Sequence, residues 1–241
     1  MNSLNILRIG FRPEFLDFER GIRVGNLEPQ ERITRLLKSA LEERFGGSFV
    51  TDRWGRGVYW QWICFLVREN RDAKPLSSKI NFGCAKFFIM MDRDEGLFKC
   101  GMQVERGFLK PPRQYRQCRL KRDWDWHRVM KGLTPNGRLT KELKRLIIQE
   151  GFGLQIGNWS DPWVLPPSGN RRGKFPALPT LRRAMNRAPG GEWAGFQLYY
   201  SMSPEEVRSS SGPELVESML AVFEEVTPAM NCCMQTPLRW E

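Results

Sequence analysis

Arg122-Asp-Trp-Asp-Trp-His127 is where this sequence brings carboxylates close to an imidazole, and His127 is the only histidine in the chain. If the tract is extended, Asp123, Asp125 and His127 share one face, because strand side chains alternate with period two. If it is helical, Asp123 and His127 lie four apart and are still neighbours. Either arrangement supplies an acid–base pair, in which a carboxylate orients a group that titrates near neutral pH. His127, Asp123 and Asp125 are therefore the catalytic candidates, and the simplest enzyme built on them is a nuclease. The flanking Trp124 and Trp126 argue against catalysis. Large rings on either side predict a packed position, with the imidazole as a buried hydrogen-bonding spacer that costs about 1–3 kcal/mol to remove.

Other enzyme signatures are missing. There is no G-x-x-x-x-G-K-[ST] phosphate loop, no G-x-G-x-x-G, no G-x-S-x-G elbow and no H-E-x-x-H. Cys64, Cys84, Cys100, Cys118, Cys232 and Cys233 lack C-x-x-C spacing, so neither a zinc site nor another metal or cofactor is expected. Asp92, Asp94 and Glu95 fall in a turn sequence, where acids serve local hydrogen bonding, and read as a solvated tip. On balance the chain reads as a binder more than an enzyme.

Charge gives the stronger lead. Residues 106–145 hold 13 Lys or Arg against three acids, a net +10 out of a formal +11 for all 241 residues. Cations neutralise phosphates and release counterions, while Tyr and Trp offer flat faces on which bases stack. Lys110, Arg113, Tyr115, Arg116, Arg119, Lys121, Arg122, Trp124, Trp126 and Arg128 combine both ingredients, and Arg171, Arg172 and Lys174 extend them from a later loop. The expected partner is DNA or RNA, bound by a non-catalytic subunit or accessory factor. The other readings are the nuclease and a protein-interaction module that pairs the basic stretch with an acidic C-terminal helix. No stretch has the apolar length of a signal peptide or membrane span, so no membrane partner is expected and the location expected is cytoplasmic.

A scaffold for these residues is legible in the periodicity. Ile33, Leu36, Leu37, Ala40, Leu41 and Phe45 make a helical stripe after Pro29, ended by Gly46 and Gly47. Strands are expected near 49–51, 58–68, 80–91 and 97–105 as an antiparallel meander, with Trp60 and Trp62 on one face. A helix at 139–147, strands at 152–158 and 193–201, and helices opening at Ser203 and Pro213 follow. Prolines and glycines fill 160–192, which reads as a mobile basic loop with a short helix at 178–186. The fold class is α+β: a mainly antiparallel meander sheet, packed amphipathic helices and one long basic Pro/Gly-rich loop. A single domain over 1–241 is expected, with 160–192 as the only candidate internal boundary.

Overall fold

A computed structural model of the chain describes residues 10–77, 80–167 and 174–239. In order, its elements are β1 (Leu16–Asp17), β2 (Gly21–Arg23), α1 (Ile33–Phe45), β3 (Phe49–Arg56), β4 (Tyr59–Val67), α2 (Arg68–Asp72), β5 (Lys86–Asp92), β6 (Leu97–Gly107) and α3 (Asp125–Gly132). Then come α4 (Arg138–Ile148), β7 (Gly153–Asn158), β8 (Trp163–Leu165), α5 (Leu178–Arg187), β9 (Ala194–Met202), α6 (Pro204–Ser209) and α7 (Gly212–Cys233). The α+β class holds. β3, β4, β5 and β6 pair in meander order, as their alternating Phe, Ile and Met predict. The meander then stops, because β9 pairs with β6 on one edge and with β7 on the other, and β8 closes the path beyond β7.

β4 decides the other end of the sheet. β3 pairs with it from Tyr59 to Val67, so β5 at Trp62–Phe65 and β2 at Tyr59–Trp60 must share its opposite edge. The register slips between Trp54 and Gly55, where Trp62 and Trp60 are the successive partners and Gln61 is the extra residue. Such a bulge reverses which face the following side chain takes. Trp60 and Trp62 therefore do not share a face, contrary to the period-two expectation. Trp60 enters the main core, whereas Trp62 packs beside Cys64, Leu66, Phe88 and Tyr199.

One face of the sheet carries the apolar core. Phe87, Ile89 and Met91 of β5 and Phe98, Cys100, Met102 and Val104 of β6 lie there in one continuous cluster with side chains from α1, α3, α4, α5 and α7. Phe223 of α7 stacks on Phe87 with ring centroids 4.8 Å apart. Leu181, Ala184 and Met185 of α5 join the same cluster, and β8 pairs with β7, so the 160–192 region contributes elements to the common core. Residues 168–173 of that expected loop, Arg171 and Arg172 among them, lie outside the described residues.

The alternate residues of the same strands make the second face polar, yet it is also closed. Lys86 Nζ meets a Glu105 carboxylate oxygen at 2.7 Å. Gln103 Oε1 accepts from Trp62 Nε1 and from Gln197 Nε2, both at 2.9 Å. Lys99 Nζ sits 2.7 Å from Asp92 and 2.8 Å from Glu95, above the Tyr199 ring. Burial acts to lower the Lys99 ammonium, but the hydrogen bonds it donates to those two carboxylates outweigh this and hold its pKa above the usual range. Asp92 and Glu95 thus clamp a buried lysine, which corrects their reading as a merely solvated tip; Asp94 and Glu95 both remain exposed, and of the three acids only Asp94 does not reach Lys99.

Candidate nucleic-acid interface

The Asp-Trp-Asp-Trp tract clasps the chain together. Asp125 is the first residue of α3 and is fully buried. Its Oδ2 accepts from the Ala85 N–H at 2.7 Å and from Asn70 Nδ2 at 2.8 Å, and its Oδ1 lies 2.9 Å from Lys74 Nζ. Lys74 Nζ also reaches Asn70 Oδ1, which accepts from the Gln235 N–H near the C-terminal end. Burial raises the Asp125 carboxyl pKa, opposed first by the Lys74 charge. Asp123 accepts from the Leu76 and Ser77 N–H groups at 2.8 and 3.1 Å and from Ser77 Oγ at 2.8 Å. The two carboxylates therefore fasten the connection between α2 and β5.

Trp124 lies between them at 1% exposure. A Cβ on Gly83 would come within 2.5 Å of its ring, and one on Gly107 within 2.7 Å. Gly107 also has φ of 62°, so both its conformation and its clearance require glycine. Trp126, at 3% exposure, faces the main core. Neither indole can offer a face to a base, which removes Trp124 and Trp126 from the proposed stacking residues. Their spacing to neighbouring cations matched a binding surface, but the pair is apolar ballast for α3.

His127 reverses its expectation. It is exposed on α3, not buried, and its Nε2 lies 3.1 Å from the Lys121 carbonyl oxygen. Because α3 begins only at Asp125, Asp123 is not one turn behind His127 on a common helix. Both carboxylates are consumed elsewhere, so the orienting partner of an acid–base pair is missing. Cysteine nucleophiles fare no better: burial pushes the Cys64, Cys100 and Cys233 thiols far up and Cys84 to about 12. Among the described residues, no three His, Cys, Asp or Glu side chains converge as metal ligands would.

The cations divide sharply. Of the thirteen between 106 and 145, three have internal duties. Buried Arg106 donates to the carbonyl oxygens of Ala188, Pro189 and Glu192, fixing the turn before β9. Lys121 Nζ donates to the Leu76 carbonyl at 2.6 Å, and Arg145 is held by Glu142, Glu150 and Glu225. The other ten are exposed: Lys110, Arg113, Arg116, Arg119, Arg122, Arg128, Lys131, Arg138, Lys141 and Lys144. None forms an ion pair with a described carboxylate.

Local structure explains their exposure. Segment 108–120 folds back on itself, with the Phe108 N–H donating to Cys118 O at 3.1 Å and the Leu120 N–H to Phe108 O at 2.8 Å. A 3-10 turn at Arg113–Cys118 turns only Cys118 inward. Tyr115 is 47% exposed and stacks on Phe108, centroids 5.8 Å apart, so it is the one aromatic of the predicted set that presents a ring to solvent. On α4, Leu139, Leu143, Leu146 and Ile147 are buried, which leaves Arg138, Lys141 and Lys144 along the wet side. α5 adjoins this region: Arg182 donates to Leu133 O at 2.8 Å, and Lys144 lies over the Phe175 ring at 5.6 Å. Exposed Lys174 and Arg183 extend the charge, whereas Arg187 pairs with Asp161 at 2.5 Å.

The sequence reading passed over Arg20, Trp54, Arg56, Tyr59 and Arg93, which come from three separate segments and meet in one groove. The only local signal was Trp54 in the Asp52-Arg-Trp-Gly-Arg-Gly57 turn, an indole where turn chemistry asks for none. No helix is long and apolar enough to cross a membrane among the described residues. No family model matches this chain, and a search of curated proteins finds no significantly similar relative.

Proposed function

We propose that the chain binds nucleic acid by its phosphates, through the exposed cations of residues 110–144, as a non-catalytic component. The observation that supports this is the ten exposed, carboxylate-free cations described above, which follow one another through the 3-10 turn, α3 and α4. Unpaired surface cations at this density raise the local concentration of polyanions and release their counterions on contact. Tyr115 adds an exposed phenol ring to the segment. His127, separated from Asp123 and Asp125, gives the nuclease no geometric support. The interaction module finds part of its acidic helix already engaged within the chain, because Glu217 and Glu224 of α7 both hold Arg44, and Glu225 holds Arg145.

The test is a salt titration of binding to a fluorescent oligonucleotide, alongside the triple reversal R113E/R116E/R119E. With six to ten phosphate contacts, affinity falls about 10³- to 10⁵-fold between 50 and 200 mM salt. The triple variant should bind more weakly on every sequence tried, with a log–log salt slope shallower by about three. Unchanged affinity and slope in that variant defeat the proposal for this surface.

A further inference from the structure

At the tip of the β3–β4 hairpin lies an open groove of ≈ 610 Å³, lined among others by Glu19, Arg20, Trp54, Arg56, Tyr59 and Arg93. The bulge builds it. Gly55 has φ of 155°, and a Cβ there would come within 2.5 Å of Trp60 Cα, so the end of β3 passes directly against β4. The extra residue, Gln61, donates through Nε2 to the Arg20 carbonyl at 2.9 Å, and Arg93 donates to the same oxygen. These bonds bring the β1–β2 turn and the β5–β6 turn to the hairpin. Arg20 then lays its guanidinium 4.2 Å from the centre of the Tyr59 ring.

Two features of the groove ask for a ligand. Trp54 is 69% exposed, the most exposed large apolar side chain among the described residues. Arg20, Arg56 and Arg93 are exposed and form no ion pair with a described carboxylate; Glu19 is the one acid in the lining. A flat ring wants a flat partner, and guanidinium forks suit phosphate oxygens. The volume falls within the roughly 300–1,000 Å³ of small-ligand sites, room for a nucleotide unit.

We propose that this groove binds a segment of single-stranded nucleic acid, with a base stacked on Trp54 and neighbouring phosphates held by Arg20, Arg56 and Arg93. The partner class rests on the nucleic-acid reading above. Single strands fit because their bases are unstacked, whereas the base faces of a duplex are already covered by one another. An acidic peptide would satisfy the arginines and leave the indole in water.

The experiment uses the full chain with labelled 15-nucleotide single strands of RNA and DNA, the matching duplexes, and polyglutamate. W54A should weaken single-strand binding about 5- to 150-fold and leave duplex binding unchanged. W54F should keep most of the affinity, and R56E should make the salt slope shallower by about one. R113E/R116E/R119E should weaken single strand and duplex alike while retaining the quenching of tryptophan fluorescence at saturating single strand. W54A with wild-type single-strand affinity, beside a weakened triple variant, overturns the groove and leaves the main interface standing. Equal loss on duplex and single strand in W54A, or polyglutamate binding that also depends on Trp54, overturns it as well. A wild type that binds neither form defeats both readings.

Discussion

Asp125 to Ala is the substitution whose cost the structure fixes most firmly. Lys74 and Asp125 are both at 0% side-chain exposure, with Nζ and Oδ1 2.9 Å apart. Removing the carboxylate leaves an ammonium buried against Asn70 alone, and also strips acceptors from the Ala85 N–H and Asn70 Nδ2. Breaking one half of a buried pair costs about 3–5 kcal/mol, since the surviving charge keeps its desolvation penalty. For a chain of this size that lowers Tm by roughly 6–20 °C. Urea melts followed by circular dichroism read the loss directly. D125N keeps one oxygen for the Ala85 N–H but not the charge, so it should stay destabilised; K74M/D125N removes both charges and should recover at least half of that loss. Oligonucleotide affinity, corrected for folded fraction, should be the same throughout. A D125A protein within about 1 kcal/mol of wild type, or a double variant no better than D125N, refutes the clasp.

His127 to Ala should change stability by no more than about 0.5 kcal/mol, because the ring is exposed and touches only a carbonyl; a drop above 2 kcal/mol in the same melts would restore the buried-spacer reading. Burial raises Glu105 to about 6 from its ordinary 4.5, with the Lys86 charge opposing. The folded state therefore takes up a proton between pH 6 and 4.5 that the unfolded state does not. This group's contribution is full below 4.5 and is lost as pH rises through 6, a swing of up to about 2 kcal/mol. The stability of wild type relative to E105Q should accordingly rise from pH 7 to 4.5, and a flat difference would show that Glu105 titrates alike in both states.

What was legible in the sequence is what depends on local periodicity. The α1 stripe, the meander of β3 to β6 and the capping box at Ser203 each follow from residues close together in the chain, whereas the second capping box, at Ser211, came only with the structure. The insertion of β9 between β6 and β7 is a long-range pairing that no local pattern encodes. The Gln61 bulge was hidden for a related reason: one extra residue leaves composition untouched but flips every later side chain. For the site, the sequence located the basic stretch and misjudged its aromatics. Trp124 is buried because Gly83 and Gly107, 41 and 17 residues before it, leave a slot of its size. Neither glycine carries a mark that says which ring it faces.

Charge alone also misleads until each cation has been followed to its partner. Lys74, Lys86 and Lys99 are buried and matched by Asp125, by Glu105, and by Asp92 with Glu95. Arg44 and Arg145 take up the glutamates that α7 turns toward α1 and α4. Glu217, Glu224 and Glu225 are thereby partly neutralised within the chain, although each stays partly exposed. The excess of +11 is therefore concentrated on exposed side chains in the 110–144 segment and around the hairpin groove. Exposed charges separated by more than about 8–10 Å are screened from one another at physiological salt, which makes their crowding within the chain cheap. On the reading proposed above, a flexible polyanion suits these cations because one strand can contact many of them at once and release a counterion at each.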